Sequence, residues 1–302
     1  MNQSSPNLIW REQVPMARHL TWRAGGKARN FFIPLTLEAL QQKLSHWHSS
    51  QSLLWLGAGS NLLIRDGGIE QTVIAYRRAL GWFRIAGQGV FEIGAGVPCA
   101  RIARRTADLG WSGCEYMIGI PGLLGGALAM NAGAHGTQTW DHVEAVQVMD
   151  RCGQIYWRDA NEFQPGYRHV SKPDNEWFIG ARLVLKQGMP TSIHDRITQI
   201  LSTRRKSQPI GQASAGSVFR NPPGHSAGKL IEAAGLKGRS FHQAQISPHH
   251  ANFIINHGGA SADAIEFLIH LVIKEVNRTS GIDLQPEVHI MGLSAEQRTK
   301  HL

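Results

Sequence analysis

Apolar residues recur at helical spacing in several stretches of the chain. Leu37, Leu40, Leu44 and Trp47 follow Thr36, whose hydroxyl suits a helix N-terminus, and predict a helix over Thr36 to His48. Ala100 to Leu109 reads as another, stopped by Gly110 in the C-terminal cap position. The polar stretch Gln187 to Ser202 turns helical at Ile193, Ile197, Ile200 and Leu201. Ser226 to Ala234 predicts a short helix. Ile265, Leu268, Val272 and Val276 place one apolar face on a long helix that begins at Ser261 and ends before Gly281.

Short runs rich in β-branched and aromatic residues separate these helices. Leu53 to Leu56, Val73 to Ala75, Trp82 to Ile85 and Val90 to Ile93 are expected strands, the last two joined by a Gly87-Gln88-Gly89 turn. Val143 to Met149 and Gln154 to Trp157 flank Asp150-Arg151-Cys152-Gly153, a strong hairpin signal. Trp177 to Lys186, Asn252 to Asn256 and Val288 to Met291 complete the expected strands. Gly188 and Pro190 interrupt the pattern, which puts a domain boundary near 195.

At 302 residues the chain exceeds one minimal core and suits two or three domains. No segment approaches the roughly 20 apolar residues of a membrane span. The start, MNQSSPNLIWREQVP, lacks a basic n-region followed by an apolar run, so a cytoplasmic address and no membrane association are expected. Three cysteines, Cys99, Cys114 and Cys152, are odd in number and share no metal spacing; reduced thiols and no metal site are expected. The net charge of +9 is scattered, with Arg104-Arg105 and Arg204-Arg205-Lys206 the tight clusters. That distribution favours small anions over nucleic acid as a partner.

The chemistry concentrates in glycine-rich turns. GIPGLLGGALAMNAGAHG, residues 119–136, has glycines at 119, 122, 125, 126, 133 and 136 and almost no charge. Such a backbone allows close approach of a bulky ligand and holds pyrophosphate through amides; a tightly packed helix crossing would need the same glycines. Gly57-Ala58-Gly59-Ser60-Asn61, after an expected strand, is a second candidate of the same kind, or a plain turn. It lacks the third glycine of the dinucleotide fingerprint. Two such cradles point to a dinucleotide such as FAD. AGSVFRNP, residues 215–222, sets one hydroxyl between glycine and an apolar pair and reads, unaided, as a turn cap.

Taken in order, GAGSNLLIRDGG, GIPGLLGGALAMNAGAHG, AGSVFRNP and Pro286-Glu287-Val288-His289-Ile290-Met291-Gly292 closely resemble the UDP-N-acetylenolpyruvoylglucosamine reductase family, from about Leu20 to Gly292. The resemblance implies an α+β, three-lobed chain. Two lobes, 1–75 and 76–195, would bind FAD in the vanillyl-alcohol-oxidase (PCMH-type) flavin fold; 196–285 would form an α+β substrate lobe, with a C-terminal strand in 286–302 returning to the first. The short 187 to 210 connection resembles the family form that lacks an extra tyrosine-bearing loop.

The implied reaction is reduction of an enolpyruvyl ether on a UDP-sugar, with NADPH as co-substrate and FAD as cofactor, in a monomer serving bacterial peptidoglycan synthesis. Hydride at the terminal carbon leaves enolate-like charge, which needs carboxylate stabilisation and a proton on the neighbouring carbon. By resemblance Ser217 is the proton donor, Arg168 the carboxylate clamp and Glu287 the catalytic acid. Gly57, Gly59, Ser60, Asn61, Pro121, Gly122, Gly125, Gly126, Asn131 and Gly133 match cofactor-binding positions. Tyr167, Asn221, Arg205 and Arg220 are assigned to substrate. The chain departs from the family in reading Arg168-His169-Val170-Ser171 where serine commonly stands two positions after the arginine; the support of the arginine is what that departure puts in question. The alternative activity is an FAD-dependent alcohol or sugar oxidase of the same superfamily.

Overall fold

In the computed structural model, which describes residues 7–47 and 52–299, side-chain caps begin three of the helices where the sequence asks. The Thr36 hydroxyl accepts from Ala39 N at 3.2 Å and begins helix α1, Leu37–Ser45. It ends three residues short of His48, which lies outside the described residues. The others are α2 (Cys99–Asp108), α3 (Leu124–Ala129), α4 (Pro190–Ser207), α5 (Ala227–Ala233) and α6 (Ala262–Ser280). Gly110, at φ 77, follows α2 as a left-handed stop. In α6, Ser261 Oγ accepts from Ala264 N, and Gly281 at φ 71 donates to Asn277 O.

The chain divides into two units that are discontinuous in sequence. Met1–Arg11, Phe31–Gly57 and Val73–Thr203 form the first; Glu12–Asn30, Ala58–Thr72 and Arg204–Leu302 form the second. Residue 195, the expected boundary, lies inside α4. Its Ile193, Ile197 and Ile200 are buried in the core of the first unit, so α4 stays unbroken past that point.

The first unit is built on a five-stranded antiparallel sheet in the order Ile155–Asp159, Val143–Asp150, Glu176–Val184, Val90–Gly94, Phe83–Gly87. The expected hairpin at 150–153 joins the first two. Asp150 Oδ1 accepts from both Cys152 N and Gln154 N at 2.8 Å, and Gly153 supplies φ 79. Phe91, Ile93, Val146, Val148 and Leu183 share one core with the buried Ile102, Ala103 and Ala107 of α2.

The second unit pairs Ser240–Phe241, Ala244–Ile246 and Ile254–Asn256 in an antiparallel sheet. α6 buries the expected Ile265, Leu268, Val272 and Val276 in the same core as Trp22, Val218, Phe219 and Ile254. His289–Met291 runs parallel to Leu62–Ile64, with His289 opposite Leu62. The expected strand from Asn252 starts later, at Ile254, because Ala251 and Asn252 form a turn that Phe253 N closes on His250 O.

Strands at Leu8–Pro15 and Lys27–Pro34 are additional to the sequence reading. The first buries Val14 alone among its residues, and the second buries adjacent Phe31 and Phe32, so neither shows the alternation that marks a half-buried strand. Among the described residues no helix is long and apolar enough to cross a membrane, and no group of three or more His, Cys, Asp or Glu is placed to hold a metal ion. Cys99, Cys114 and Cys152 are free thiols, the first two buried; burial pushes the Cys99 thiol up to about 12.

Candidate active site

The glycine-rich stretch 119–136 folds as a 3-10 turn (Glu115–Gly119), helix α3 and a tight hairpin pairing Gly133–Ala134 with Thr137–Gln138. Its glycines serve different purposes. A Cβ on Gly125 would stand 2.7 Å from Tyr76 Oη, and one on Gly133 2.8 Å from Thr137 O. Gly57 is held to glycine by the same tyrosine, at 2.9 Å. Gly122 needs none of this packing argument, since its φ of 139 already excludes most side chains. Gly126 is different: a Cβ there meets nothing within 4 Å. Packing therefore explains Gly57, Gly125 and Gly133, and leaves open space at Gly126.

Asn131 ties this stretch to the candidate arginine. It is buried, at φ 40, and its amide is fully engaged: Nδ2 donates to Gln138 Oε1 at 3.0 Å and Gly166 O at 3.2 Å, while Oδ1 accepts from Trp140 N at 3.2 Å. Any cofactor contact it makes would come from its backbone. Gly166 ends the first arm of a hairpin, Gln164–Gly166 with His169–Ser171, whose two-residue tip is Tyr167-Arg168. Arg168 takes φ 58, a conformation that costs a non-glycine residue about 1 kcal/mol. Its Nη2 donates to Gly133 O at 3.3 Å, and its guanidinium stacks 5.1 Å from the exposed Tyr167 ring. Val170, at the position where the family commonly has serine, is 5% exposed in the core with Trp140 and Phe163. The arginine is thus supported by Gly133 and Tyr167 while residue 170 anchors the hairpin.

In the second unit three of the sequence motifs converge. Gly59, at φ 63, packs so closely that a Cβ would stand 2.3 Å from His19 O, and Gly59 O accepts from Thr21 N and Oγ1 at 3.1 and 3.3 Å. Ser60 follows, half-buried. Asn61 Nδ2 donates to Glu287 O at 3.1 Å, and Asn61 O accepts from His289 N at 3.0 Å. Glu287 N in turn donates to Val218 O at 2.7 Å, beside Ser217, and Phe219 bridges Pro286 in antiparallel fashion. Ser217 and Glu287, 70 residues apart, therefore lie on directly hydrogen-bonded segments. Gly216, at φ 74, has open space where a Cβ would be, while Val218 and Phe219 are buried.

The residues assigned to substrate differ in setting. Asn221 is exposed and its Oδ1 caps α5 through Ala227 N at 3.0 Å. Arg220 is half-buried, its Nε enclosed with no hydrogen-bond partner among the described residues, and its charge adds to burial in lowering the His289 pKa. Arg205, on the last turn of α4, is exposed.

Comparison with known proteins decides what this arrangement belongs to. A family model described as the C-terminal domain of UDP-N-acetylenolpyruvoylglucosamine reductase matches residues 208–291, and one described as an FAD binding domain matches residues 30–158. UDP-N-acetylenolpyruvoylglucosamine reductase of Alkalilimnicola ehrlichii is 49% identical over 282 residues, covering 93% of this chain and 94% of that relative. The chain belongs to the UDP-N-acetylenolpyruvoylglucosamine reductase family. A member from Methylococcus capsulatus is 47% identical over 283 residues, covering 94% of this chain and 93% of its own. The crystal structure of the family's Thermus caldophilus enzyme superposes with a TM-score of 0.81 at 33% identity, covering 93% of this chain and 99% of that one. As a member of the family the chain has the expected α+β flavin fold and is a flavin-dependent oxidoreductase of peptidoglycan precursor synthesis. Ser217, Arg168 and Glu287 are the candidates that the family resemblance supplied. The bracing role of Asn131 leaves no mark in the sequence, because nothing local identifies an asparagine that takes a left-handed φ and bonds to Gly166.

Proposed function

We propose that this chain catalyses the NADPH-dependent, FAD-mediated reduction of the enolpyruvyl group of UDP-N-acetylglucosamine-enolpyruvate to UDP-N-acetylmuramate in the cytoplasm. The observation that carries this reading is the chain of hydrogen bonds from Asn61 through Glu287 to Val218, which draws three widely spaced motifs together around Ser217. The reading keeps three lobes, 1–75 and 76–195 for FAD and 196–285 for substrate. The two family-model matches, 30–158 and 208–291, fall on either side of 195, and the pairing of His289–Met291 with Leu62–Ile64 supports a returning C-terminal strand.

The open face at Gly126 is a space that a side chain would fill and that suits the close approach of a flavin nucleotide. Gly57, Pro121, Gly122, Gly125, Gly126, Asn131 and Gly133 are proposed to hold FAD, as is the turn Gly59-Ser60-Asn61. When bound, FAD supplies hydride transfer from NADPH to the terminal carbon of the enolpyruvyl group. Ser217 Oγ gives its proton to the adjacent carbon, whose enolate character makes it basic enough to take it, and solvent restores the hydroxyl. Arg168 offers a planar pair of donors to the substrate carboxylate. Glu287 shares a proton with that carboxylate, and Tyr167, Asn221, Arg205 and Arg220 hold the sugar nucleotide.

The deciding experiment is an absorption spectrum of the purified protein. The flavin band should bleach on adding NADPH and recover on adding UDP-N-acetylglucosamine-enolpyruvate; a colourless protein that gains no activity with FAD would exclude the reading, and rapid oxygen consumption with an alcohol or sugar would favour the oxidase.

The glycines make a second, independent prediction. Gly125→Ala forces a Cβ against the buried Tyr76 hydroxyl and should destabilise the protein by roughly 1–3 kcal/mol, whether or not FAD is present. Gly126→Ala, within α3 and facing open space, should leave the apo-protein as stable or up to about 1 kcal/mol more stable, yet weaken FAD retention. Urea unfolding of the apo-proteins and FAD release on dialysis separate the two effects.

A further inference from the structure

Ser217 has little local structure of its own, since the glycine before it is at φ 74 with open space on that side. The next two residues are held tightly. Asn252 O accepts from Val218 N at 2.9 Å, Asn252 Oδ1 accepts from Phe219 N at 2.9 Å, and Asn252 Nδ2 donates to Phe219 O at 2.9 Å. With Glu287 N on Val218 O, every backbone polar group of Val218 and Phe219 is satisfied. One side chain thus imitates the edge of a strand, pairing with both the N–H and the C=O of a residue two positions from the serine.

Asn252 is 4% exposed and is itself fixed by the turn before it. Ser247 Oγ accepts from His249 N and His250 N at 3.1 and 3.2 Å, and Asn252 N donates to His250 Nδ1 at 3.2 Å. Burial lowers the His250 pKa, which favours the neutral ring that this bond requires. The turn spends its own hydrogen bonds on aiming one amide at one segment. A buried amide with all its groups committed to a single dipeptide is stiff, and a proton donor to carbon must be placed to within a fraction of an ångström.

We infer that Asn252 is a positioning residue for the reaction: it sets the register of Val218-Phe219 and thereby places the Ser217 hydroxyl for proton delivery. This rests on the role proposed for Ser217. The test compares Asn252→Asp, Ser217→Ala and the double variant, as holoenzymes. Asn252→Asp keeps the acceptor for Phe219 N–H but turns a second acceptor toward Phe219 O. It should slow flavin reoxidation by the enolpyruvyl substrate about 10²-fold while sparing reduction by NADPH. Amide hydrogen exchange of the peptide 213–221 should rise, with exchange in α6 unchanged. In the Ser217→Ala background the same substitution should add no further loss, because there is no longer a hydroxyl to place.

Additive losses in the double variant, or unchanged reoxidation in Asn252→Asp, would overturn the inference. If Asn252→Asp does not fold, Asn252→Ser, which keeps a short acceptor in the same pocket, takes its place with the same expected and contrary results. Ser217→Ala that reoxidises at the normal rate would overturn the serine's role itself, an outcome visible in the single variant alone.

Discussion

Ser217→Ala should leave the reduction of bound flavin by NADPH nearly unchanged and slow its reoxidation by the enolpyruvyl substrate by about 10²–10⁴-fold, the range of a lost general acid. The asymmetry arises from the chemistry assigned to the hydroxyl. Hydride transfer from NADPH requires no proton on carbon, whereas the second half-reaction stalls unless the enolate-like carbon is protonated. It arises equally from the structure, because the segment is fixed by backbone bonds at Val218 and Phe219 and by their burial, neither of which the serine side chain supplies. Stability should therefore stay within about 0.5 kcal/mol. Stopped-flow absorbance read separately for each half-reaction checks this. Equal slowing in both would make Ser217 a structural residue and remove the proton donor from the mechanism.

Replacing Arg168 should move activity and stability in ways that no ordinary surface substitution does. Arg168→Ala and Arg168→Gly both lose the guanidinium, and both should reduce substrate turnover by about 10²–10³-fold, as expected for removal of a charge-stabilising donor. They differ in the backbone. Residue 168 sits at φ 58 at the tip of a two-residue hairpin, so alanine keeps the left-handed strain and glycine relieves it. The glycine variant should be about 1 kcal/mol more stable than the alanine variant, although it is no more active. Arg168→Lys retains the charge but not the fork of donors, and should recover only part of the rate. Denaturant unfolding and steady-state kinetics on the three variants measure both quantities. A glycine variant less stable than the alanine variant would mean that the hairpin tip is not strained; full activity in either would remove the arginine from the site.

The helices and the hairpin at 150–153 are legible in the sequence because their causes are local. Thr36 and Ser261 cap the helices they precede, Gly281 ends α6, and Asp150 closes its own turn. Leu8–Pro15 and Lys27–Pro34 are not legible, since their burial depends on neighbours distant in the chain and leaves no alternating pattern. The glycine motifs stand between these cases. Their composition announces close approach, but only the fold shows that Gly57 and Gly125 answer to Tyr76 while Gly126 faces open space.

The same division runs through the candidate site. Residue order names Ser217, Arg168 and Glu287 as candidates only through the family resemblance, because a motif is a string of neighbours; unaided, the serine reads as a turn cap. Residue order cannot show that Asn61 and Val218 meet at Glu287, that Asn131 braces Gly166 across 35 positions, or that Asn252 holds Phe219 across 33. Asn131 and Asn252 are buried and Asn61 is half-buried; each is a polar group whose partner had to be found somewhere in the folded chain, and desolvation makes leaving it unpaired costly. Which partner it finds is a property of the tertiary structure, and it is there that a serine in an unremarkable turn acquires a fixed direction.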